Sequence, residues 1–234
     1  MFIIIDGIDG SGKSTIVLEW IDYLVKHGKK CLKLRDFWKE NGRHPHAEEF
    51  LHYDCILSSE PTFVGIGSVI RQELIRSDSN YSALAIANAY ALDRLILYKN
   101  VIIPFLESSK DKIIIKDRSV STSLCYQSIQ GTLSMAEIAA IEGNTFALEH
   151  APDHLVITDL PAERAIARLT ARIDKADNSI FEKSDFLDTS RALYLSPQYQ
   201  KLFEDRGTKV HILNTDVEFD IMKEQSVKLL QSFI

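Results

Sequence analysis

The residues with the clearest chemical potential lie near the start of the chain. Gly7, Gly12, Lys13 and Ser14 fill the spacing G-x-x-x-x-G-K-[ST], which is typical of loops that hold nucleotide phosphates. Glycines at these positions let backbone N–H groups approach an anion without a clash from Cβ. We expect the Lys13 ammonium to reach the β- and γ-phosphates and the Ser14 hydroxyl to hold Mg²⁺.

The surroundings of this motif favour a phosphate-binding loop over a flexible glycine-rich turn. An apolar run at 2–5 predicts a buried strand before it, and the apolar spacing over 14–26 predicts a helix after it. This helix would point the positive end of its dipole at the anion. The predicted ATP- and phosphate-binding residues are Gly7, Asp9, Gly10, Ser11, Gly12, Lys13, Ser14 and Thr15.

A second candidate is the pair Asp117–Arg118, which follows the apolar stretch 112–116. In a protein with a phosphate-binding loop, a carboxylate at the end of another strand commonly binds Mg²⁺ or its water. Asp117 and Ser14 are therefore predicted to form the metal site, and Arg118 is predicted to contact a phosphate. An ordinary surface ion pair is the alternative interpretation.

The elements that position these residues alternate between strands and helices. Strands are predicted at 2–5, 30–34, 112–116, 154–157 and 209–213, and a further short apolar stretch occupies 55–57. The alternation predicts an α/β, three-layer P-loop NTPase fold, in which a parallel five-stranded sheet carries helices on both faces. The phosphate loop, Glu60–Pro61, Asp117–Arg118 and Asp159 would then meet beyond the carboxyl ends of the strands.

The bulk composition also limits the possibilities. A chain of 234 residues can build one full core, so we expect a single domain over 1–234. A net charge of −6 argues against nonspecific nucleic-acid binding. The three cysteines form no disulfide framework, no secretory peptide precedes the first strand, and no apolar stretch is long enough to cross a membrane. We therefore expect a cytoplasmic protein without a membrane partner.

Further motifs continue along the chain. In order they are Asp9–Thr15, Glu60–Pro61, Tyr90-x-x-Asp93-Arg94, Asp117–Arg118, Thr122, Tyr126–Gln127, Pro152–Asp153 and Asp159–Pro161. In this order and spacing the sequence resembles the thymidylate kinase family over nearly its whole length, and 36–54 fits least well. The resemblance implies transfer of the γ-phosphoryl group of ATP to dTMP, giving dTDP and ADP. It also implies Mg²⁺ as cofactor and a homodimer.

The resemblance assigns roles on the acceptor side. Asp9 would contact the sugar 3′-hydroxyl, Arg118 would bind the acceptor phosphate, and Tyr126 would favour deoxyribose. Tyr90 stands where the family usually stacks a Phe on thymine, and Arg94 would hydrogen-bond the base. Taken alone, Tyr90 is better explained by core packing on a long helix, but Arg94 one turn later on the same helix favours a pocket. The predicted acceptor-binding residues are Asp9, Glu60, Tyr90, Arg94, Arg118, Thr122, Ser123 and Tyr126.

The stretch 164–186 resembles the mobile lid of the family. Ser11 occupies a loop position where some members have Arg, and members without that Arg use lid arginines instead. Arg168 and Arg172 are candidates because they are four apart and share one helical face. A solvated basic face is the alternative. The predicted catalytic residues are Lys13, Arg118, Asp9, Arg168 and Arg172.

Several positions depart from the family pattern. Asp6 stands where Glu is usual, and Ser119 stands where an aromatic residue or His is usual. Ser59 replaces an Arg that is common before Glu60–Pro61, which removes one expected phosphate contact; Arg35 is a candidate substitute. These changes bear more on the choice of thymidylate than on kinase chemistry.

The polar stretch 36–54 predicts a loop or a small insertion, because it contains a glycine, a proline and several charges. His44, His46, His52 and Cys55 offer imidazole and thiolate ligands, but their spacing matches no common zinc site. Solvated loop histidines are the simpler interpretation.

The sequence leaves other functions open. A kinase for another (deoxy)nucleoside monophosphate would share this machinery, whereas a nucleoside kinase would need a carboxylate base, for which Glu60 is a candidate. A P-loop ATPase switch and a non-catalytic nucleotide-binding module belong to another class. The sequence has no N-K-x-D tetrapeptide for guanine, and the intact Lys13, Ser14 and Asp117 disfavour a non-catalytic module.

Overall fold

Six parallel strands lie at the centre of the protein. The computed structural model of the chain describes residues 1–76, 79–171 and 184–234. The strands are β1 (Phe2–Gly7), β2 (Cys31–Lys33), β3 (Cys55–Ser59), β4 (Ile113–Asp117), β5 (His154–Asp159) and β6 (Lys209–Asn214). They pair into one sheet in the order β2-β3-β4-β1-β5-β6.

The predicted α/β class and parallel sheet are confirmed, but the predicted count of five strands is wrong. The additional strand is β3, which pairs with β2 on one side and β4 on the other. Its sequence shows only a short apolar stretch, because its last two residues are Ser58 and Ser59.

Helices cover both faces of the sheet. The described helices are α1 (Lys13–Lys26), α2 (Leu34–Asn41), α3 (Ala47–Phe50), α4 (Gly65–Val69), α5 (Ala83–Leu97), α6 (Ile103–Ser108), α7 (Val120–Thr122), α8 (Met135–Ala139), α9 (Glu142–Glu149), α10 (Ala162–Thr170), α11 (Ser184–Leu195), α12 (Pro197–Glu204) and α13 (Phe219–Gln231). Wide π-helical turns at Ile70–Leu74, Tyr98–Ile102 and Ser123–Gln127 follow α4, α5 and α7.

β1 divides the interior into two cores. Ile3 and Ile5 pack with apolar residues of α1 and α13, whereas Phe2 and Ile4 pack into the larger core on the opposite face. This alternation follows from the two-residue period of a strand, and all four side chains are buried. Since both faces of β1 are covered, the loop that leaves its carboxyl end starts from a rigid base.

The stretch 36–54, predicted as a loop or a small insertion, contains α3 and most of α2, so it is not a loop throughout. Leu34 and Trp38 are four residues apart and bury one face of α2, and Gly42 ends this helix with a φ of 67°. The apolar residues of α2 are Leu34, Phe37 and Trp38, and the charged neighbours between and around them obscure its period. No helix of the described residues is both long and apolar enough to cross a membrane.

Candidate active site

Two glycines that have no room for a side chain shape the loop after β1. Gly7 has a φ of 135°, and a Cβ there would lie 2.3 Å from Thr158 Oγ1. Gly10 has a φ of 80°, and its Cβ would lie 2.5 Å from the Ala165 carbonyl oxygen. L-residues rarely adopt such angles, so both the space and the backbone require glycine. The chain thereby turns sharply into α1, whose positive dipole end borders a large cavity.

Lys13 begins α1, and its side chain folds back across the loop. Its Nζ donates to the Gly7 carbonyl oxygen at 2.9 Å and to the Ile8 carbonyl oxygen at 2.8 Å. Burial, together with the nearby Arg118 guanidinium, lowers the pKa of Lys13 to about 8. Two carbonyl oxygens therefore hold this ammonium at the wall of the cavity.

Ser14 and Asp117 meet at the same wall. Ser14 Oγ donates to Asp117 Oδ2 at 3.1 Å. Asp117 Oδ1 is buried and has no hydrogen-bond partner among the described residues. A buried, unpaired carboxylate oxygen beside a hydroxyl is suitable for a hard cation such as Mg²⁺, so these two residues fit the metal.

Arg118, Asp9 and Tyr126 form one connected group. Arg118 has a φ of 68°, which is uncommon outside glycine, and its Nη2 pairs with Asp9 Oδ1. Its guanidinium carbon lies 5.4 Å from the centre of the Tyr126 ring. The Asp9 backbone N–H donates to the Tyr126 hydroxyl at 3.1 Å. Burial opposes the charge of Arg118, but Asp9, Tyr126, Asp6 and Asp117 together outweigh it, and the pKa of Arg118 lies above its usual value.

Asp6 joins this group to two helices and lies outside the lining of the cavity. Its buried carboxylate accepts hydrogen bonds from the Gly7 N–H at 2.8 Å, the Thr122 hydroxyl at 2.8 Å and the Tyr194 hydroxyl at 2.9 Å, and also from the Ser121 hydroxyl. These donors come from the end of β1, from α7 and from α11. The presence of Asp rather than Glu at position 6 therefore concerns a residue that supports the site from outside the cavity lining.

One cavity of about 1360 Å³ joins these groups. Its volume exceeds the roughly 300–1,000 Å³ of a pocket for one small ligand, so two substrates can share it. The predicted residues that line it are Asp9, Gly10, Gly12, Lys13, Ser14, Glu60, Tyr90, Arg94, Asp117, Arg118, Thr122, Ser123 and Tyr126. Gly7, Ser11 and Thr15 are outside that lining; the Ser11 hydroxyl instead lies 2.6 Å from Thr158 Oγ1.

Glu60 follows β3 and is buried between two cations. Lys116 Nζ pairs with Oε1, and Arg94 Nε donates to Oε2 at 2.8 Å. The other nitrogens of Arg94 donate to Ser123 Oγ at 3.0 Å and to Asn144 Oδ1. Burial lowers the pKa of Lys116 to about 8. Both oxygens of Glu60 are thus engaged, and they fix the plane of the Arg94 guanidinium.

Two arginines of the cavity lining pack against the ring of Phe63. Arg71 Nε donates to the carbonyl oxygens of Pro61 and Thr62, each at 3.0 Å, and its guanidinium carbon lies 3.9 Å from the centre of the Phe63 ring. Arg35, the candidate substitute for a phosphate contact, lies 4.8 Å from the same ring centre. Both arginines line the cavity.

The structure describes the beginning and the end of the predicted lid. Arg168 Nη2 donates to the Thr215 carbonyl oxygen at 2.8 Å. Its Nη1 would lie 3.9 Å from a Cβ placed at Gly12, so Arg168 lies beside the phosphate loop. Arg172 and the rest of 172–183 lie outside the described residues.

Comparison with known proteins places this chain in a family. A sequence profile named Thymidylate kinase matches residues 46–225. The chain belongs to the thymidylate kinase family. A probable thymidylate kinase of Pyrococcus abyssi is 31% identical over 234 residues, which are 98% of this chain and 95% of the relative. A probable thymidylate kinase of Methanosphaera stadtmanae is 30% identical over 238 residues, or 99% and 100% of the two chains.

A relative from a third organism is also named a thymidylate kinase. The thymidylate kinase of Thermosipho melanesiensis is 28% identical over 212 residues, which cover 89% of this chain and 90% of the relative. The profile begins after the phosphate loop, but the alignments with Pyrococcus abyssi and Methanosphaera stadtmanae cover nearly all of both chains. The thymidylate kinase resemblance predicted from the sequence is therefore confirmed.

Within this thymidylate kinase fold, Gln127 belongs to the motif Tyr126–Gln127, but the sequence alone predicts no role for it. Both amide atoms of its side chain are buried without a hydrogen-bond partner in the part of the chain that the structure describes. The residue lines the cavity with Tyr90 and Arg94, and the wide turn Ser123–Gln127 carries it there. An unsatisfied buried amide costs about 1–3 kcal/mol, which a ligand can recover. The available signal was its place directly after Tyr126.

The histidines of 36–54 do not gather around a metal. His44 is partly buried rather than solvated, since its Nδ1 accepts the Trp38 indole N–H at 3.2 Å. Burial lowers the pKa of His44 to about 4. Among the described residues, no group of three or more His, Cys, Asp or Glu side chains is arranged to hold a metal ion.

Proposed function

We propose that this thymidylate kinase family member transfers the γ-phosphoryl group of ATP to dTMP and releases dTDP and ADP. The main support is that a single cavity joins the phosphate loop and Lys13 with Asp117–Arg118 and with a buried pocket that contains Arg94 and Gln127. The names of its full-length relatives point to the same reaction.

ATP would bind with its phosphates at the loop. The backbone of Gly10 and Gly12, the dipole of α1 and the Lys13 ammonium offer positive charge on one side of the cavity. Ser14 and Asp117 would hold Mg²⁺, which supplies charge neutralisation between the phosphates when bound. The free Asp117 Oδ1 supports this assignment.

The acceptor phosphate would bind Arg118. Asp9 already fixes one edge of this guanidinium, and the Tyr126 ring fixes its face. Asp9 Oδ2 would accept the sugar 3′-hydroxyl, and the Tyr126 ring would crowd a ribose 2′-hydroxyl. These roles follow the family resemblance, and the contacts of the three side chains support them.

The base would be read by Gln127 and Arg94 and stacked on Tyr90. Thymine offers an N3–H donor next to carbonyl acceptors, and an amide supplies the matching acceptor and donor. Arg94 supplies donors only, which favours a carbonyl over the exocyclic amine of cytosine or adenine. Burial raises the pKa of Tyr90 to about 12, so its ring remains a neutral phenol at neutral pH.

Phosphoryl transfer between these sites needs no strong base. The attacking oxygen belongs to a phosphate that is already anionic, so the barrier lies in aligning two anions and stabilising the spread charge. Lys13, Arg118 and Arg168 would supply that field. A nucleoside kinase would need a carboxylate base, and Glu60 is poorly suited because Lys116 and Arg94 engage both of its oxygens.

An ADP-release assay across the common nucleoside monophosphates tests this proposal. We expect dTMP to give the highest kcat/KM and turnover without an acceptor to be negligible. A higher value for another monophosphate would move the assignment to that base. Acceptor-independent ATP hydrolysis would instead support the nucleotide-dependent switch.

A homodimer is part of the same proposal. The family resemblance implies it, and α5 supports it with two exposed leucines that lie eight residues apart and therefore on one face of the helix. Leu84 is 51% exposed and Leu92 is 46% exposed, and the exposed Asn88 lies between them. Light scattering is expected to give twice the mass of one chain, and to give the monomer mass for Leu92→Glu.

A further inference from the structure

Two cysteines on neighbouring strands lie apart from the chemistry proposed above. Cys31 in β2 and Cys55 in β3 are direct partners in the parallel register. The Cys31 thiol donates to the Lys29 carbonyl oxygen at 3.8 Å, and it lies close enough to Cys55 for each cysteine to shift the pKa of the other. Both side chains lie on the face of the sheet that α1 and α13 cover. Neighbouring strands are about 4.8 Å apart, which falls within the roughly 4.4–6.8 Å between Cα atoms that a disulfide spans.

The two thiols differ in exposure and in acidity. Cys55 is fully buried, whereas Cys31 is only partly buried at the edge strand of the sheet. The neighbouring Cys55 thiol lowers the pKa of Cys31 even though burial opposes the charge, and Cys31 together with burial raises the pKa of Cys55. Lys29 and Lys33 also favour the Cys31 thiolate, whereas Asp54 disfavours it.

We propose that Cys31 and Cys55 form a peroxide-responsive dithiol, in which Cys31 attacks the oxidant and Cys55 resolves the product. The accessible thiol is placed directly beside a buried thiol that can reach it without movement of the strands. This arrangement separates the two tasks that reversible disulfide formation requires. The inference does not depend on the proposed kinase function.

The chemistry proceeds in two balanced steps. The Cys31 thiolate attacks one oxygen of hydrogen peroxide, the O–O bond breaks, and Cys31 sulfenic acid and hydroxide form. Cys55 Sγ then attacks the Cys31 sulfur, the S–O bond breaks, and the disulfide forms with loss of water. Overall the two thiols lose two electrons and two protons, and one peroxide becomes two waters.

Cys125 supplies a matched control within the same chain. It is also fully buried, but it lies in the core on the opposite face of the sheet, and its thiol donates to the Ser190 carbonyl oxygen at 3.5 Å. Burial raises the pKa of Cys125 well above its usual value. Cys125 is therefore expected to stay reduced while the pair on β2 and β3 reacts.

The test treats the reduced full-length protein with hydrogen peroxide and maps its cysteines under non-reducing conditions by mass spectrometry. We expect a Cys31–Cys55 peptide pair, a fall from three titratable thiols to one in the unfolded protein, and full recovery with dithiothreitol. Three persistent thiols, an accumulated sulfinic acid on Cys31, or a Cys31 disulfide between two chains would each overturn the proposal.

Variants separate the two roles. Cys55→Ala is expected to leave a sulfenic acid on Cys31 that dimedone traps, and Cys31→Ser is expected to slow oxidation of Cys55 at least about tenfold. Cys125→Ala should form the disulfide at the rate of the parent protein. Oxidation of Cys55 at an unchanged rate in Cys31→Ser refutes the assignment. If Cys55→Ala does not fold, the cysteine map of the parent protein decides alone.

Discussion

At the residue scale, the cavity contains cations that protein oxygens hold in position. Two loop carbonyls bind Lys13, and the Asp9 carboxylate binds Arg118. We expect Lys13→Ala and Arg118→Ala each to lower kcat on the order of 10³-fold, because each removes positive charge where phosphate charge spreads. Steady-state kinetics with circular dichroism of each variant measures this. Lys26→Ala, at the exposed end of the same helix, is the control, and near-normal turnover in either test variant would remove that residue from the catalytic set.

Gln127 allows a test of base recognition at the same scale. Gln127→Leu keeps the volume but removes the amide, so we expect KM for dTMP to rise about 10- to 100-fold while KM for ATP changes little. Gln130→Leu alters an exposed residue of the same segment and is the matched control. An unchanged KM for dTMP in Gln127→Leu would exclude the amide from the acceptor site.

At the scale of elements, Glu60 ties β3 to β4 and to α5 through Lys116 and Arg94. Glu60→Gln leaves two buried cations without their carboxylate, so we expect a loss of about 3–5 kcal/mol in the free energy of unfolding. Lys116→Met is expected to cost less, because Arg94 still pairs with Glu60. Urea unfolding of both variants gives the comparison, and equal losses would contradict the described pairing.

The contact between α2 and His44 makes stability depend on pH. The pKa of His44 is lowered to about 4 in the folded protein, whereas in the unfolded chain it is near 6.5. Between pH 4 and pH 6.5 the unfolded chain therefore binds the proton and the folded protein does not. Its contribution is therefore complete above pH 6.5 and is lost as the pH falls toward 4. His44→Asn keeps an acceptor for the Trp38 indole N–H but does not titrate.

Urea unfolding of the parent protein and of His44→Asn at pH 7.5 and pH 5 measures this effect. We expect the parent to lose on the order of 1 kcal/mol more than the variant over this range. Equal losses in both proteins would mean that His44 does not couple folding to pH.

Local pattern explains which elements the sequence reveals. The helix predicted at 14–26 matches α1 to within one residue at its start. The match is close because six residues of α1 are buried at helical spacing. The sequence does not reveal α2, because its short apolar face of Leu34, Phe37 and Trp38 lies among charged residues. β3 gave too short an apolar run to count as a strand, although it is a central strand of the sheet.

At the scale of the whole molecule, the features that the sequence does not reveal depend on contacts between elements that are far apart in the chain. The motif spacing predicted the phosphate loop and Asp117–Arg118, and the sheet brings them together because β1 and β4 are neighbours. The ion cluster of Glu60, Arg94 and Lys116 depends on three elements far apart in the chain, so no local pattern marks it. Gln127 was hidden for the same reason, since only the folded chain leaves its amide unpaired.

The most direct measurement incubates the purified protein with ATP, Mg²⁺ and dTMP and separates the nucleotides by chromatography. The proposed site predicts dTDP and ADP in equal amounts, and neither product from the Lys13→Ala protein at the same enzyme concentration. ADP without dTDP, or dTDP at equal rates from the parent and Lys13→Ala, would contradict the assignment of this cavity as a thymidylate kinase active site.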